Sequence, residues 1–172
     1  MKKGTIALLV VGVFILALVM GTLTTYNGLV SKDEAVATAW GNVQSQYQRR
    51  ADLVPNLVST VKGYAKHESE TLEGVVAARA KATQITVNAD ELTSEKLKQY
   101  QAAQGELSQA LGRLMAIQEN YPQLKANENF SELQAQLEGT ENRINESRQL
   151  FNSAVQTYNV SVRRFPANIV AG

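Results

Sequence analysis

The pattern of apolar and polar positions separates one continuously apolar segment from a longer region with helical periodicity. The apolar segment begins at Ile6 and ends at Leu23, and residues 4–25 contain no ionisable side chain. A helix needs roughly 20 apolar residues to cross the hydrocarbon core of a bilayer. We therefore predict one transmembrane helix in contact with lipid. It divides the chain into a membrane anchor, residues 1–26, and a helical domain, residues 27–172.

A cleavable signal peptide is the alternative interpretation of the apolar segment. Signal peptides have a shorter apolar core, of roughly 7 to 15 residues, and a small-x-small cleavage site. Here the core is longer, and the only approximate match to such a site is Val19-Met20-Gly21. The pattern favours a retained anchor.

The charges on the two sides of the anchor predict its orientation. Lys2 and Lys3 precede it, whereas the first charge after it, Lys32, is followed at once by Asp33 and Glu34. Under the positive-inside rule the N-terminus stays in the cytoplasm. The helical domain is therefore expected on the opposite side of the membrane.

Local signals place four helices in the domain. Residues 31–34 have the spacing of a capping box and predict the start of the first helix. Because proline disfavours helical backbone at the residue before it, we predict an end near Ala51 and a new helix from Pro55, and we favour a turn over a kink there. This second helix is expected to continue until a loop that begins near Ile85.

The third and fourth helices have clearer boundaries. Thr93 or Ser94 is expected to cap the third helix, which continues to Tyr121 and Pro122, and Asn129 is expected to start the fourth. In the fourth helix, large apolar residues recur every seven positions, which is typical of a bundle seam. They are Phe130, Leu137, Ile144, Phe151, Tyr158 and Phe165. The predicted fold is all-α: an N-terminal transmembrane helix followed by an antiparallel four-helix bundle.

Three charged residues lie beside the predicted seams. Glu141 and Arg148 are one heptad apart on the fourth helix, and Arg50 continues the apolar positions of the first. They are candidates for a buried polar layer that fixes the register of the helices. The alternative is that their charged ends extend to water along the edge of the core.

One face of the third helix contains only small and neutral residues, and we consider it a candidate assembly face. Its members are Gln101, Gly105, Ser108, Gln109, Gly112 and Ala116. Glycine costs roughly 1 kcal/mol relative to alanine inside a helix. Two glycines one heptad apart therefore suggest the close approach of another backbone, although an ordinary surface of small residues is an equal alternative.

Composition and motifs exclude several classes of function. The net charge is +1 without long charged runs, which disfavours nucleic-acid binding, and there is no cysteine to act as a thiolate ligand or nucleophile. His67, near Glu68, Glu70 and Glu73, does not form a known metal-binding motif. We predict no catalytic residues, no metal and no cofactor, and expect the protein not to be an enzyme.

Three sequence blocks closely resemble the LemA family of bacterial membrane proteins. They are QRRADLVPNLV at residues 48–58, KANENFSELQ at 125–134 and LEGTENRI at 137–144. The resemblance covers essentially the whole domain. It implies one transmembrane helix and a helical bundle in the bacterial cytoplasmic (inner) membrane, with no catalytic residues to carry over. Similar proteins usually continue beyond a FPANIVAG-like motif, so a lost C-terminal tail is an open question.

These observations favour a non-enzymatic scaffold or adaptor that presents a helical bundle to a protein partner or to copies of itself. One alternative is an accessory subunit of a membrane quality-control or protease system, which would differ in having a dedicated partner. A less favoured alternative is an enzyme with an unrecognised carboxylate site inside the bundle. The sequence does not identify the partner, the process or the size of a homo-oligomer.

Overall fold

The computed structural model describes residues 3–170, and throughout that range the regular structure is helical. The six α-helices are α1 (Lys3–Tyr64), α2 (Ser69–Gln84), α3 (Ser94–Ala116), α4 (Pro122–Lys125), α5 (Glu128–Arg163) and α6 (Ala167–Val170). Short 3₁₀ turns occupy Ala89–Glu91 and Ile117–Asn120. The described residues contain no strand, and the all-α prediction is confirmed. Lys2 lies outside the described residues.

The chain divides into two compact units. One contains Met1–Ala39 with Leu150–Gly172, and the other contains Trp40–Gln149. The predicted end of the membrane anchor at residue 26 is not tested by this division and stays a prediction.

The second unit is a helical bundle whose core comes mainly from α1, α2, α3 and α5, with one buried leucine from the short α4. The fully buried side chains of that core include Leu57 and Val61 of α1, Val75 of α2, Leu107 and Leu114 of α3, Leu124 of α4 and Phe130 of α5. Each comes from the apolar stripe of an amphipathic helix. Burying four such stripes together removes their apolar surface from water, which is the main force that holds the bundle.

In the first unit, α1 contains the apolar segment. An 18-residue window of α1 has a mean hydropathy of 2.4, and none of that window is buried. The helix is long and apolar enough to cross a membrane. Large apolar side chains such as Leu8, Phe14 and Leu23 are more than half exposed. Among the described residues of this unit, the buried apolar side chains are Leu29, Phe151 and Ala167.

The predicted boundaries of the first helix of the domain are wrong, because α1 continues through both of them. It neither starts at Ser31 nor ends near Ala51, and Pro55 lies inside it. A proline inside a helix leaves the carbonyl four residues earlier without its N–H partner. That carbonyl is Ala51 O, which is buried, and Arg79 Nε of α2 donates a hydrogen bond to it at 2.8 Å. A residue from another helix thus replaces the bond that Pro55 cannot make.

This replacement predicts a coupling between Pro55 and Arg79. Arg79→Met should lower the free energy of unfolding by about 1 to 3 kcal/mol, because it leaves a buried carbonyl unpaired. In a Pro55→Ala background the same substitution should cost less than half as much, since residue 55 then supplies an N–H. A double-mutant cycle followed by circular dichroism in urea measures the coupling. Equal costs in both backgrounds would show that Arg79 does not serve this carbonyl.

The break that was predicted at Pro55 lies instead at residues 65–68, between α1 and α2. Neither proline nor glycine occupies this turn. Residues distant in sequence hold it: Asn127 Nδ2 donates to Tyr64 Oη at 2.9 Å, and Tyr121 Oη donates to Glu68 Oε1 at 3.3 Å. Ala65 is fully buried. Tertiary packing therefore decides where the chain reverses, and the prediction of a helix running from Pro55 to the loop at Ile85 is wrong.

Two of the other helix boundaries test the capping predictions. Thr93 caps α3, since its hydroxyl accepts a hydrogen bond from Lys96 N at 3.2 Å, and this prediction is confirmed. For α5 the cap is Asn127, whose Oδ1 accepts from Phe130 N at 2.9 Å, and the helix begins at Glu128, one residue before the predicted start at Asn129. Both caps satisfy an N–H that has no partner within its own helix.

The seven-residue stripe on α5 is buried along only part of its length. Phe130, Leu137 and Ile144 are buried in the second unit, while Phe165 is 81% exposed and follows the end of α5 at Arg163. Phe151 is buried but belongs to the first unit, which contains residues of α1, α5 and α6.

Candidate functional site

A buried arginine is the most unusual feature of the bundle. Arg50 is 1% exposed, although arginine is rarely buried unless it is paired. It follows Val43 and Tyr47 and precedes Val54 and Leu57 on the core face of α1, all at spacings of three or four residues. The register of the helix thus forces its side chain inward rather than toward water.

The Arg50 guanidinium binds residues of two other helices directly. Nη1 donates to Glu141 Oε1 of α5 at 2.8 Å and to Ser108 Oγ of α3. Nη2 donates at 2.8 Å to both the backbone and the side-chain oxygen of Gln104. The Gln104 amide in turn donates to Ala82 O of α2 at 3.3 Å. One side chain therefore connects α1, α3 and α5, and through Gln104 also α2.

Aromatic rings pack beside this cluster. The Arg50 guanidinium lies over the Tyr47 ring, 5.1 Å from its centroid, which is the geometry of a cation–π contact. Tyr100 packs edge-on against both Trp40 and Tyr47, with centroid distances of 5.3 and 5.6 Å. These rings place apolar surface next to the buried guanidinium.

Burial changes the protonation of the two tyrosines. It raises the pKa of Tyr100 to about 12 and also raises the pKa of Tyr47, because a phenolate loses its hydration inside the bundle. Both phenols are therefore neutral at physiological pH and contribute packing rather than a basic group. The Trp40 indole Nε1 donates to Val87 O at 2.8 Å, and Gln44 Nε2 donates to the same carbonyl at 2.9 Å. These bonds hold the loop after α2 against α1.

The three candidates for the polar layer occupy different environments. Arg50 is buried, the Glu141 side chain is 37% exposed, and Arg148 is exposed. All three line one cleft of about 110 Å³ between α1, α3 and α5. Arg50 and Glu141 form an ion pair, whereas no ion pair of Arg148 occurs within residues 3–170. The sequence missed Gln104, which the spacing to Leu107 and Leu111 could have identified as a core position.

The candidate assembly face on α3 is open to solvent along most of its length. Gln101, Ser108, Gln109, Gly112 and Ala116 are exposed and Gly105 is half-buried. A Cβ placed on Gly105 or Gly112 would meet no neighbouring atom within 4 Å, so these glycines do not serve close packing inside the chain. However, Gln101, Gly105 and Ser108 line the cleft with Arg50 and do not face directly away from the core. Assembly on this face stays a prediction.

The described residues suggest structural chemistry rather than reactive chemistry. No group of three metal-ligating side chains occurs among them, and His67 is exposed in the turn after α1. The Glu141 carboxylate is held by a guanidinium that is itself bonded to a second helix. Such an arrangement fixes the relative positions of the helices.

Sequence comparison finds a family model and several known proteins that are similar to this chain. A sequence model of the LemA family matches residues 39–172. The chain is 30% identical over 185 residues to magnetosome protein MamQ 2 of Paramagnetospirillum magneticum, covering 96% of this chain and 67% of the relative. It is 29% identical to magnetosome protein MamQ of Magnetospirillum gryphiswaldense, covering 91% and 64%. Protein LemA of Metamycoplasma hominis is 24% identical, with 84% and 63% covered. The chain thus spans about two thirds of the length of these relatives.

Proposed function

The chain belongs to the LemA family, and from this premise we propose that it is a membrane-anchored, non-enzymatic scaffold or adaptor. In this role the bundle is the surface on which a partner protein, or further copies of the chain, assemble. The anchor keeps that surface at the membrane, where confinement raises the effective concentration of other membrane proteins.

One observation carries the proposal. Helix α1 contains both the exposed apolar segment and the first helix of the bundle core, with no linker between them. The same helix therefore belongs both to the apolar segment and to the bundle core, which supports a role for the bundle at the membrane. The buried Arg50 supports the same proposal, because its hydrogen bonds connect helices of the bundle and hold the surface in one shape.

Crosslinking of the full chain in its native membrane, followed by mass spectrometry, tests the proposal. We expect exposed bundle lysines such as Lys66 and Lys98 to form crosslinks to another protein or to other copies. The same reaction after solubilisation in a denaturing detergent is the control. If the protein at its native abundance forms crosslinks only within one chain, and none to other proteins or copies, the scaffold role is contradicted. Crosslinks to one protease or chaperone complex alone would favour the accessory-subunit alternative.

We further propose that the N-terminus is cytoplasmic and the bundle extracytoplasmic. The charge pattern around Lys2, Lys3 and Lys32 supports this orientation. Because the chain has no cysteine, a single exposed Glu146→Cys reports the compartment without further changes. A membrane-impermeant maleimide should label this residue in intact spheroplasts.

A matched variant and a lysis control complete the topology test. Replacing Lys2 and Lys3 with glutamate should reduce labelling of the same cysteine, because the charge bias that retains the N-terminus is reversed. Labelling that occurs only after the cells are lysed would place the bundle in the cytoplasm and overturn the orientation.

A further inference from the structure

Two large apolar side chains are exposed in the first unit where α5 is followed by α6, on residues 163–169, which we call the α5–α6 turn. Phe165 is 81% exposed and Ile169 is 70% exposed. The N–H of Asn168 donates to Arg164 O at 2.9 Å, so the segment follows a helical turn, on which residues four apart lie on the same face. Ala167, on the opposite face, is buried. The fold thus directs Ala167 inward and both large side chains outward.

The lengths of the helices in this unit place the α5–α6 turn beside the end of the apolar segment. The unit consists of the part of α1 that ends at Ala39 and the part of the chain that begins at Leu150. From Ala39 back to Thr25, α1 extends about 21 Å, at 1.5 Å per residue. From Leu150 forward to Arg163, α5 extends about 20 Å. Because the two parts form one compact unit, Arg163 and the turn after it lie near the level of Thr25.

The packed part of α1 begins directly after the apolar segment. Every described side chain of α1 before Thr25 is exposed, and Thr25 is the first that is partly buried. The apolar segment ends two residues earlier, at Leu23. Tyr26, which follows, is 54% exposed, and exposed tyrosines are typical of the boundary between a bilayer and water. A membrane around the apolar segment would therefore end beside the α5–α6 turn.

The charges of this part of the unit are basic. Arg163 and Arg164 are exposed, and residues 150–172 contain no acidic side chain. On α1 the first acidic side chain is Asp33, eight residues after Thr25, or about 12 Å along the helix. That distance exceeds the Debye length of about 8 Å at physiological ionic strength. Neither arginine forms an ion pair within residues 3–170, so both charges are available to an anionic partner.

We propose that the α5–α6 turn is a second contact with the membrane, made with anionic phospholipids. Phe165 and Ile169 enter the boundary of the bilayer, while Arg163 and Arg164 bind lipid phosphates. Exposed apolar side chains beside basic ones are typical of surfaces that bind there. Lipid is the favoured occupant because the end of the apolar segment lies beside this turn. The inference rests on the proposed function, since it needs the anchor, and it names the lipid class that the domain recognises.

Fluorescence quenching by lipids tests this contact with the full chain reconstituted in vesicles. Because the chain has no cysteine, Asn168→Cys attaches one fluorophore beside the two apolar side chains and leaves both in place. The vesicles contain phosphatidylcholine and phosphatidylglycerol, one of which carries a nitroxide quencher near its headgroup. We expect quenching at residue 168, and more by phosphatidylglycerol than by phosphatidylcholine. A control label at Asn152→Cys, exposed near the other end of the same unit, should be quenched little by either lipid.

Two double substitutions separate the charged part of the contact from the apolar part. Arg163→Gln with Arg164→Gln should lower the preference for phosphatidylglycerol by about fivefold per arginine. Phe165→Ala with Ile169→Ala should lower the quenching by both lipids. Leu150→Ala is the matched control, because Leu150 is 58% exposed near the other end of the unit, and it should change the quenching less than about twofold. Since all these side chains are exposed, the circular dichroism spectrum should be unchanged in each variant.

A label in the apolar segment separates failure of this inference from failure of the proposed function. Leu16→Cys should be quenched by lipids that carry the nitroxide deeper in the acyl chain. Quenching at residue 16 without quenching at residue 168 would reject the lipid contact and leave the anchor standing, whereas no quenching at residue 16 would reject the anchor and the proposed function with it. Equal quenching by the two lipids, or quenching that persists in both double variants, would also overturn the inference. Shielding of residue 168 only at a high ratio of protein to lipid would identify a second copy as the occupant instead.

Discussion

Replacing Arg50 with alanine is expected to lower the free energy of unfolding by about 3 kcal/mol, the upper end of the cost of leaving buried hydrogen-bond partners unpaired. The Glu141 carboxylate adds little to this loss, because its side chain is 37% exposed and stays hydrated. The substitution removes four hydrogen bonds that connect α1 to α3 and α5. It leaves the buried Gln104 side chain without that donor, and an unpaired buried polar group costs about 1 to 3 kcal/mol. Urea unfolding of the full chain in mild detergent, followed by circular dichroism, measures the effect.

Arg49→Ala is the matched control, since Arg49 is the preceding residue and is exposed. Its substitution should change the free energy of unfolding by no more than about 0.5 kcal/mol. Arg50→Lys should recover only part of the loss, because an ammonium group cannot reproduce the planar, bidentate contacts of a guanidinium. Similar effects of Arg49→Ala and Arg50→Ala would show that the buried network does not stabilise the bundle.

The second large effect concerns two phenylalanines at equivalent positions of the seven-residue repeat. Phe130→Ala is expected to cost about 3 to 5 kcal/mol, because it leaves a cavity in the core. Phe130 is fully buried, whereas Phe165 is 81% exposed. Phe165→Ala should therefore change the free energy of unfolding by no more than about 0.5 kcal/mol.

Thermal and urea unfolding of both variants would test this contrast. Phe151, at 6% exposure, should behave like Phe130, with a cost of about 3 to 5 kcal/mol on truncation. Equal losses at Phe130 and Phe165 would mean that burial along the stripe does not follow the structure. No loss at Phe130 would mean that the repeat does not face the core at all.

Features that depend on short stretches of sequence were predictable. The apolar segment, the α-helical class, the loop near Ile85 and the cap at Thr93 were each predicted by neighbouring residues, and the structure contains them. The inward positions of Phe130, Leu137 and Ile144 were likewise predictable, because one helical turn determines which residues share a face.

The helix boundaries and the polar cluster were less predictable. Pro55 seemed a strong signal for a turn, yet α1 continues through it while Arg79 of α2 pairs with the carbonyl left free. Arg50 and Glu141 were candidates for a polar layer. The sequence did not decide whether the Arg50 guanidinium is buried or extends to water. The roles of Gln104 and Ser108 in binding Arg50 had no local signal strong enough to assign them.

The sequence by itself determined the apolar segment, the helical class and the apolar faces, because each depends on periodicity and propensity within a few turns of chain. The tertiary structure alone decided that Pro55 stays within a helix, that the chain turns at residues 65–68 and that Arg50 is buried against Glu141. These outcomes depend on hydrogen bonds between residues distant in sequence, such as Arg79 to Ala51 and Arg50 to Glu141. Such partners meet only when the helices pack, so no local pattern encodes them.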